Sequence, residues 1–348
     1  MSSKGEIRAK ILVTGSTGYI GRFLTRRLLK NPVNEVYGFN RRPDPQLSSE
    51  HSLEGDILNV DWVELLKKVR PHQIFHTVGA SAQSPFSNQL LVHGEGTRRL
   101  LQGLLDSGIG KQTRVIIAGS AAEYGLRDEA VDEMARCHPE GEYGIAKLTQ
   151  SEIARTFVQR YDLPVTVARI FNVYGETERH LAIAAMAYQL ARAEAVSPEP
   201  CELHVHNLRS WRDFIHIDDV VDALLALAAK PVSTFTLPVP SASMGMDGQI
   251  YNIASGQSTA LSRVMDALLD ATSLRGQALK NVTLRVHGAQ REEISRADIS
   301  KIRQHTGWIP KITLQEGLKR ELEYWRQQVA FASAENHPSK PTIEAMSV

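Results

Sequence analysis

Short apolar runs alternate with amphipathic segments through the first half of the chain. The apolar runs include KILVTG, EVYGFN, QIFHTVG and RVIIAGS, and helix-like patterns such as GRFLTRRLLK and GTRRLLQGLLDSG lie between them. This alternation predicts βαβ units and a parallel sheet with helices on both faces. The runs are continuously apolar, as is typical of strands that are covered on both sides. We therefore predict an α/β fold of the Rossmann type, with a doubly wound parallel sheet.

The pattern loosens after about residue 172. A helix-like run, LAIAAMAYQLARAEA, leads into a proline-rich segment, and PVSTFTLPVPSASMGMDG is typical of a long surface loop. The stretch from about Ala330 is polar with scattered prolines. We predict a Rossmann domain over 1–171 and 208–254, a smaller C-terminal lobe over 172–207 and 255–330, and a loose tail over 331–348.

The amino-acid composition limits the classes of protein to which this chain can belong. The 348 residues suit two domains or one two-lobed unit, and a net charge of +1 offers no overall attraction to nucleic acid or to an anionic membrane. The two cysteines are far apart and lack metal-type spacing, which argues against a disulfide framework and a structural zinc site. No apolar stretch reaches the length of a membrane span, and no signal-peptide core follows the charged N-terminus. We predict a cytoplasmic protein.

Three glycines mark the turn between the first predicted strand and the next helix. VTGSTGYIG contains Gly15, Gly18 and Gly21. Glycines let the backbone approach a pyrophosphate, whose charge then lies at a helix N-terminus. A tight turn alone also favours glycine, but the position inside a complete βαβ unit favours dinucleotide binding.

The end of the second strand bears on the choice of dinucleotide. An NAD site usually has an acidic residue there, whereas this chain has Asn40 followed by Arg41 and Arg42. A guanidinium binds a 2′-phosphate through charge-assisted hydrogen bonds, so we predict NADP(H) in preference to NAD(H). The alternative is that the arginines belong only to a solvated loop. Asp56, after the third strand, is a candidate partner for the adenine amino group.

Candidate catalytic side chains lie at the end of one strand and the start of one helix. Tyr143 and Lys147 are four residues apart in a helical pattern, which places them on one face. An ammonium at ~4 Å and an effective dielectric of ~20 attracts a phenolate by about 4 kcal/mol. That attraction could lower the tyrosine pKa by up to about three units before desolvation opposes it. Ser120, at the end of a strand in the same sheet, adds a hydroxyl that can share the charge developing on a substrate oxygen.

Taken together, these motifs resemble the extended short-chain dehydrogenase/reductase family, whose members act on nucleotide sugars. The resemblance spans nearly the whole chain and includes RIFNVYGE (169–176), RDFIHIDDV (212–220), YNIASGQ (251–257) and TGWIPKITLQEGL (306–318). Within the family, the sequences GSAAEYG, YQLARAEA, LRSWRDF and LEYWRQQV most resemble the GDP-4-keto-6-deoxy-D-mannose reductases.

The resemblance implies a role for each domain and for particular residues. The Rossmann domain would bind NADP, the smaller lobe would bind the nucleotide sugar, and two copies would dimerise through the helix bearing Tyr143 and Lys147. Ser120, Tyr143 and Lys147 would be catalytic, and no metal is implied. The cofactor-binding set would be Gly15, Thr17, Gly18, Tyr19, Ile20, Gly21, Asn40, Arg41, Arg42, Asp56, Ile57, Tyr143 and Lys147. The substrate-binding set would be Ser81, Glu123, Asn172, Arg212 and Arg291, with the two arginines on the pyrophosphate.

Several of these residues also have a structural interpretation. Arg212 could instead form an ion pair with a nearby aspartate. Glu123 fits an orienting or structural hydrogen bond better than proton transfer, and Asp218 and Asp219 fit backbone orientation or helix capping. His93 stands in VHGEGT where the family often has asparagine; we expect it to bridge a helix to the sheet rather than to act as a catalytic acid.

The two residues after Ser120 limit the chemistry that the resemblance implies. Family members that dehydrate a sugar carry an acidic pair there to supply a general acid and a general base, whereas this chain has Ala121 and Ala122. The remaining expectation is NADPH-dependent reduction of a 4-keto-6-deoxy sugar, the alternative being a 4-epimerase with tightly held NAD. A sensor or scaffold that binds NADP without turnover is a third, more remote reading.

Overall fold

Strands and helices alternate along the chain in a computed structural model that describes residues 9–127, 129–176, 178–197, 199–229, 250–288 and 293–335. The strands are β1 (Ala9–Thr14), β2 (Asn34–Asn40), β3 (Ser52–Glu54), β4 (Gln73–His76), β5 (Arg114–Ser120), β6 (Val165–Ile170), β7 (Asn172–Tyr174), β8 (Cys201–His206), β9 (Trp211–His216), β10 (Ile250–Ile253), β11 (Ser258–Ala260) and β12 (Val282–His287). The helices are α1 (Tyr19–Leu29), α2 (Trp62–Val69), α3 (Phe86–Gln89), α4 (Gly96–Asp106), α5 (Glu142–Tyr161), α6 (Ala182–Val196), α7 (Ile217–Ala228), α8 (Leu261–Ala271), α9 (Gly276–Lys280), α10 (Ser300–Thr306) and α11 (Leu314–Glu335). A π-helical turn covers Leu90–Glu95, and 3₁₀ turns cover Gly110–Gln112 and Ala121–Glu123.

Seven of these strands form one parallel sheet in the order β10-β6-β5-β4-β1-β2-β3. Strand β1 pairs in register with β2 on one side and with β4 on the other. The chain thus winds outward in both directions from β1, which confirms the predicted Rossmann-type fold. In such a sheet the ligand crevice lies outside the carboxyl ends of the strands, where the winding direction reverses. Here that point lies between β1 and β4.

The sheet is buried on both faces because neighbouring residues of each strand point to opposite sides. Ile11 and Val13 of β1 lie in a core with helices α1 and α7, whereas Leu12 lies in a second core with α2, α4 and α5. The same alternation in β5 sends Ile116 to the first core and Ile117 to the second. The continuous apolar runs in the sequence reflect this double coverage.

The chain divides into two compact units. The first contains 1–173, 211–259 and 293–312, and it carries the seven-stranded sheet. The second contains 174–210, 260–292 and 313–348. Within the second unit, α6, α8 and α11 pack against one another, and β8 pairs in parallel with β12.

Two boundaries differ from the sequence-based prediction. Residues 293–312 belong to the first unit rather than to the smaller lobe, because Ile302 and Trp308 lie in its core and Asp219 accepts the backbone N–H groups of Lys311 and Ile312. Helix α11 continues to Glu335, so 331–335 are helical rather than loose. The predicted loop over 231–248 and the tail from 336 lie outside the described residues. No helix in the described part of the chain has the length and hydropathy needed to cross a bilayer.

Candidate active site

The glycine-rich turn between β1 and α1 is closely packed. Gly15 has a φ of 77°, and a Cβ on it would lie 2.8 Å from the Val78 nitrogen. A Cβ on Gly21 would lie 2.0 Å from the Gly15 carbonyl oxygen. Helix α1 starts after Gly18 without a side-chain cap and without an acidic residue in its first turn. Its N-terminal N–H groups therefore suit an anion such as a diphosphate.

The side chain of Asn40, at the end of β2, forms hydrogen bonds with residues of this turn. Its side-chain oxygen accepts from the Thr17 N–H at 3.0 Å and the Thr17 hydroxyl at 3.1 Å, and its amide nitrogen donates to the Ser16 hydroxyl at 2.7 Å. Ser16 in turn donates to the carboxylate of Asp44, which is only 2% exposed. Sequence reasoning missed Asp44, since it lies in an irregular loop where no periodic pattern marks a buried carboxylate.

The other predicted cofactor residues differ in exposure. Arg41 and Arg42 are exposed directly after β2, and neither forms an ion pair with the described residues. Asp56 is half-buried and accepts from the Leu58 N–H at 2.8 Å. Ile57 is buried in the core of the first unit, so its contribution is packing.

The segment 17–20 completes the predicted cofactor set. Thr17 is exposed, as is Gly18. Tyr19 is half-buried, with its ring edge-on to Phe23 at 5.9 Å between centroids, and Ile20 packs against the core beneath α1. Tyr19 and Ile20 begin α1, whereas Thr17 and Gly18 precede it, and the N–H groups of Thr17 and Gly18 donate to the Asn40 side chain and to the Gly15 carbonyl.

Ser120, Tyr143 and Lys147 are brought together where β5 ends and α5 begins. The Lys147 ammonium donates to the Ala118 carbonyl at 2.7 Å, and Tyr143 is hydrogen-bonded to Ser120. The start of α5 packs on the turn after Ser120 because Gly144 has no side chain; a Cβ there would lie 2.5 Å from the Ala122 carbonyl oxygen.

The electrostatics of this group differ from the sequence-based prediction. Burial, followed by the negative charge of Glu123, raises the pKa of Tyr143 to about 12, and the hydrogen bond with Ser120 opposes this shift only in part. Burial lowers the pKa of Lys147 to about 8, against the stabilising charge of Glu123. The sequence predicted that Lys147 could lower the tyrosine pKa before desolvation opposes it; in the structure burial dominates and the pKa of Tyr143 is raised.

Glu123 is a structural group and not a substrate ligand. It is 0% exposed, and one carboxylate oxygen accepts from the Ser120 N–H at 2.9 Å. The other oxygen accepts from the Ser151 hydroxyl and from the Arg169 guanidinium, both at 2.8 Å. The Arg169 guanidinium also lies over the Tyr124 ring at 4.5 Å. The assignment of Glu123 to substrate binding is therefore wrong, and its orienting role is confirmed: it fixes the backbone of Ser120.

His93 lies in the π-helical turn and is 1% exposed. Its Nε2 lies 3.3 Å from the Ala80 nitrogen and 3.2 Å from the Ala80 oxygen, and its ring is edge-on to Tyr143 at 5.7 Å. Burial and the charge of Lys147 lower the pKa of His93 to about 3. Because His93 is neutral near pH 7, it has no imidazolium proton to donate, which supports the bridging role. The exposed Ser81 lies in the loop that His93 anchors, and its hydroxyl accepts from the Gln83 N–H.

Two of the predicted substrate residues, Asn172 and Arg212, are hydrogen-bonded to other residues of the protein. Asn172 donates to the Asp213 carbonyl at 3.1 Å. Arg212 donates to the backbone carbonyl of Glu293 at 3.0 Å and pairs with its carboxylate. The ion-pair alternative for Arg212 thus holds in the structure, with a glutamate as the partner. Arg291 lies outside the described residues.

The aspartates of RDFIHIDDV have structural roles. Asp219 orients the backbone of 311–312, and Asp218 pairs with Arg27 at 3.5 Å. Asp213, which sequence reasoning missed, is 0% exposed and accepts N–H groups from Ser255 and Gly256. In the described part of the chain, no group of three or more histidine, cysteine or carboxylate side chains could hold a metal ion.

Comparisons with known proteins agree with this architecture. A Bacillus subtilis protein named an uncharacterized UDP-glucose epimerase is 26% identical over 333 residues, which cover 90% of this chain and 97% of the relative. The GDP-6-deoxy-D-mannose reductase of Pseudomonas aeruginosa is also 26% identical, over 92% of this chain and 98% of the relative. The structure of RMD from Pseudomonas aeruginosa complexed with NADPH has a TM-score of 0.73 at 23% identity, over 92% of this chain and 99% of that one, which shows the shared fold.

A model of a protein family also matches the chain. The model described as the NAD dependent epimerase/dehydratase family matches residues 11–254, well over half of the sequence. Relatives in this family include epimerases and a reductase of nucleotide sugars. The protein therefore belongs to the NAD-dependent epimerase/dehydratase family, and it is an NAD(P)-dependent enzyme of the extended short-chain dehydrogenase/reductase type.

Proposed function

We propose that the protein uses NADPH to reduce the 4-keto group of a nucleotide-linked 4-keto-6-deoxy sugar of the GDP-4-keto-6-deoxy-mannose type. The observation that carries this proposal is the turn after Ser120. Ala121 and Ala122 occupy it, and neither side chain can supply the acid and base that elimination of a sugar hydroxyl requires. Ser120 and Tyr143 remain, and they suit proton transfer to a carbonyl oxygen.

The residues of the first unit fit a bound NADP. The turn containing Gly15 and the start of α1 would hold the diphosphate, and the exposed Arg41 and Arg42 would hold the 2′-phosphate. Asp56 would contact the adenine, and Lys147 the nicotinamide ribose. When bound as NADPH, the cofactor supplies the hydride.

The side chains of the protein then handle the proton. A pKa of about 12 keeps Tyr143 protonated at neutral pH, so that it can donate its proton to the oxygen at carbon 4 as negative charge develops there. Ser120 would donate a hydrogen bond to the same oxygen. A protonated tyrosine fits the proton donation that reduction requires, whereas in an epimerase the same group would first take a proton from an alcohol and later return it.

The nucleotide sugar would contact Asn172, Arg212 and the segment that contains Arg291. Asn172 and Arg212 belong to the first unit, to which we also assign cofactor binding. We expect the second unit to take part in binding the nucleotide sugar, and two copies of the chain to associate through α5. For Arg212 to meet a diphosphate, its ion pair with Glu293 must open or rearrange. The pair is partly exposed, so the energetic cost of exchanging one anion for another is small.

The alternative is a nucleotide-sugar 4-epimerase with tightly held NAD. It is favoured by the relative named as a UDP-glucose epimerase, which is as similar in identity as the reductase. An epimerase would retain NAD through purification and would interconvert sugars without net consumption of cofactor.

The test is oxidation of NADPH, followed optically, with GDP-4-keto-6-deoxy-mannose as substrate and NADH as the comparison cofactor. Fast oxidation of NADPH and slow oxidation of NADH would support the proposal, and no oxidation of either would refute it for this substrate. Tyr143→Phe removes the proton donor, and Tyr161→Phe, at the exposed end of the same helix, is the matched control. A protein that only senses NADP would show no turnover in any form, yet would bind the cofactor in all of them.

A further inference from the structure

A chain of buried polar side chains extends behind Lys147. The lysine donates to the Gln150 side-chain oxygen at 3.1 Å, and the Gln150 amide nitrogen donates to the Thr97 hydroxyl at 2.9 Å. The Thr97 hydroxyl lies 3.0 Å from Nε2 of His76, and Nδ1 of His76 lies 2.8 Å from the Thr14 hydroxyl. Lys147 is 5% exposed and the other four residues are 0% exposed.

These five residues connect elements that are distant in the sequence. Gln150 and Lys147 lie on α5, Thr97 lies on α4, and His76 ends β4. Thr14 is the last residue of β1, directly before the glycine-rich turn. The chain of hydrogen bonds therefore joins the helix that carries the candidate catalytic pair to the turn that would hold the diphosphate.

Because the Lys147 ammonium is only a donor, it determines how the side-chain amide of Gln150 is oriented. An ammonium can only donate, so the Gln150 oxygen must face it and the Gln150 nitrogen must face Thr97. Two of the three ammonium N–H bonds are thereby directed to Ala118 and Gln150. Because tetrahedral geometry fixes the third bond once two are set, the chain determines the direction in which Lys147 can bind a further group.

This series of hydrogen bonds holds Lys147 in place and does not conduct a proton. It ends at Thr14, which has no exposed surface through which a proton could leave. Burial and the charge of Lys147 lower the pKa of His76 to about 3, so its ring is neutral at physiological pH. A neutral ring accepts and donates one hydrogen bond each, as the two threonine hydroxyls require.

We propose that Gln150, Thr97 and His76 are positioning residues for Lys147, which aim its ammonium and lock α5 to the glycine-rich turn. This inference rests on the proposed function only in taking Lys147 to contact the bound dinucleotide. The glycine motif and the Tyr143–Lys147 spacing do not reveal this hydrogen-bonded series, because its residues lie on four separate elements.

Other charged or titratable groups also face Lys147, and they set the background for a pH experiment. Glu123, in the turn after β5, favours the ammonium. His76 of β4 and His93 of the π-helical turn both have their pKa lowered by the lysine charge and stay neutral. Tyr143 precedes Lys147 by one turn of α5 and stays protonated. Across neutral and mildly alkaline pH, Lys147 is therefore the group in this set that changes charge.

The test compares Thr97→Val with Thr113→Val. Both changes remove one buried hydroxyl and keep the side-chain shape; Thr113 is 1% exposed, and its hydroxyl donates to the Pro71 carbonyl at 2.8 Å, at the other end of the sheet. NADP⁺ and NAD⁺ are titrated calorimetrically from about one pH unit below to about one unit above 8, the pKa of Lys147. In the wild-type protein, the affinity should fall as the pH rises through this value, because the ammonium loses its charge.

In Thr97→Val, Gln150 is no longer held toward Lys147, so the ammonium loses a hydrogen bond that favours its charged form. The fall in affinity should then begin about one pH unit lower, with binding about fivefold weaker at pH 8, because about half of the lysine is charged there in the wild type and about one eleventh in the variant. Thr113→Val should match the wild type within about twofold. Identical pH curves for the two variants would overturn the proposal.

Two further measurements separate the possible failures. Circular dichroism checks that both variants are folded; if Thr97→Val is not, Gln150→Met, a change of similar volume, cuts the same chain at its other link and is expected to shift the curve equally. Failure of the proposed function would appear as a wild-type protein that binds dinucleotide but does not reduce the keto sugar. That result would leave the difference between the Thr97 and Thr113 variants unchanged.

Discussion

Substituting Glu123 by glutamine tests whether the buried ion pair behind Ser120 organises the site. The Glu123 carboxylate is fully buried and accepts three hydrogen bonds, from the Ser120 backbone, the Ser151 hydroxyl and the Arg169 guanidinium. Glutamine has nearly the same shape but no charge, and one of its two terminal atoms is a donor. The Glu123→Gln protein therefore leaves the Arg169 guanidinium, which is 3% exposed, without its counter-ion.

The expected loss of stability follows from the burial of both partners. Removing one partner of a buried ion pair costs about 3–5 kcal/mol, because the remaining charge is uncompensated. At roughly 2–4 °C per kcal/mol, the unfolding temperature should fall by roughly 6–20 °C. The exposed pair of Glu152 and Arg155 on α5 supplies the control: Glu152→Gln should lower stability by less than about 0.5 kcal/mol.

Thermal unfolding of the two variants and the wild-type protein, followed by circular dichroism at neutral pH, makes the comparison. The same substitution should also lower the pKa of Lys147 further, since the charge of Glu123 supports the ammonium. Dinucleotide binding by Glu123→Gln should then weaken at a lower pH than in the wild type. Equal unfolding temperatures for Glu123→Gln and Glu152→Gln would refute the view that this pair stabilises the site.

Other predictions follow from the same structure. Replacing Arg41 and Arg42 together by alanine should raise the KM for NADPH by at least about tenfold and change that for NADH by less than about twofold, since the loss of a single charge-assisted hydrogen bond costs about 1.5–3 kcal/mol. Equal losses for both cofactors would show that the arginines do not contact the 2′-phosphate. Tyr143→Phe should lower kcat by at least about a hundredfold while dinucleotide affinity stays within about twofold, measured by steady-state kinetics and calorimetry. His93→Asn should leave the shape of the kcat–pH profile between about pH 6 and 8 unchanged, because His93 is neutral throughout; loss of a titrating limb would contradict that assignment.

Features that depend on local pattern were predictable from the sequence. The alternation of apolar runs predicted a parallel sheet, which in the structure has seven strands, because both faces of each strand are buried. The position of Gly15 after β1 predicted the turn that leads into α1. The spacing of Tyr143 and Lys147 predicted that they share a face of α5, and the apolar run that ends at Ser120 placed its hydroxyl at the carboxyl end of β5.

Partners that the fold brings together from distant segments were not predictable in this way. Glu123 pairs with Arg169, 46 positions later, and Arg212 pairs with Glu293, 81 positions later. A charged residue in a sequence can face a ligand, solvent or another side chain, and only the fold decides which. For the same reason Asn40 fits a ribose-binding position by its place after β2, yet turns inward to hold Thr17 and Ser16.

The pKa of Tyr143 shows why a pairwise estimate from spacing was insufficient. A lysine one helical turn away predicts a lowered pKa if the pair is considered alone, with a Coulomb energy of about 4 kcal/mol at ~4 Å. In the structure the ammonium is directed to the Ala118 carbonyl and to Gln150, and Glu123 adds a negative charge nearby. Burial and that carboxylate raise the pKa of Tyr143, so the protein alone keeps the phenol protonated. The protonation state of Tyr143 thus depends on residues behind the site as much as on the Ser120, Tyr143 and Lys147 set itself.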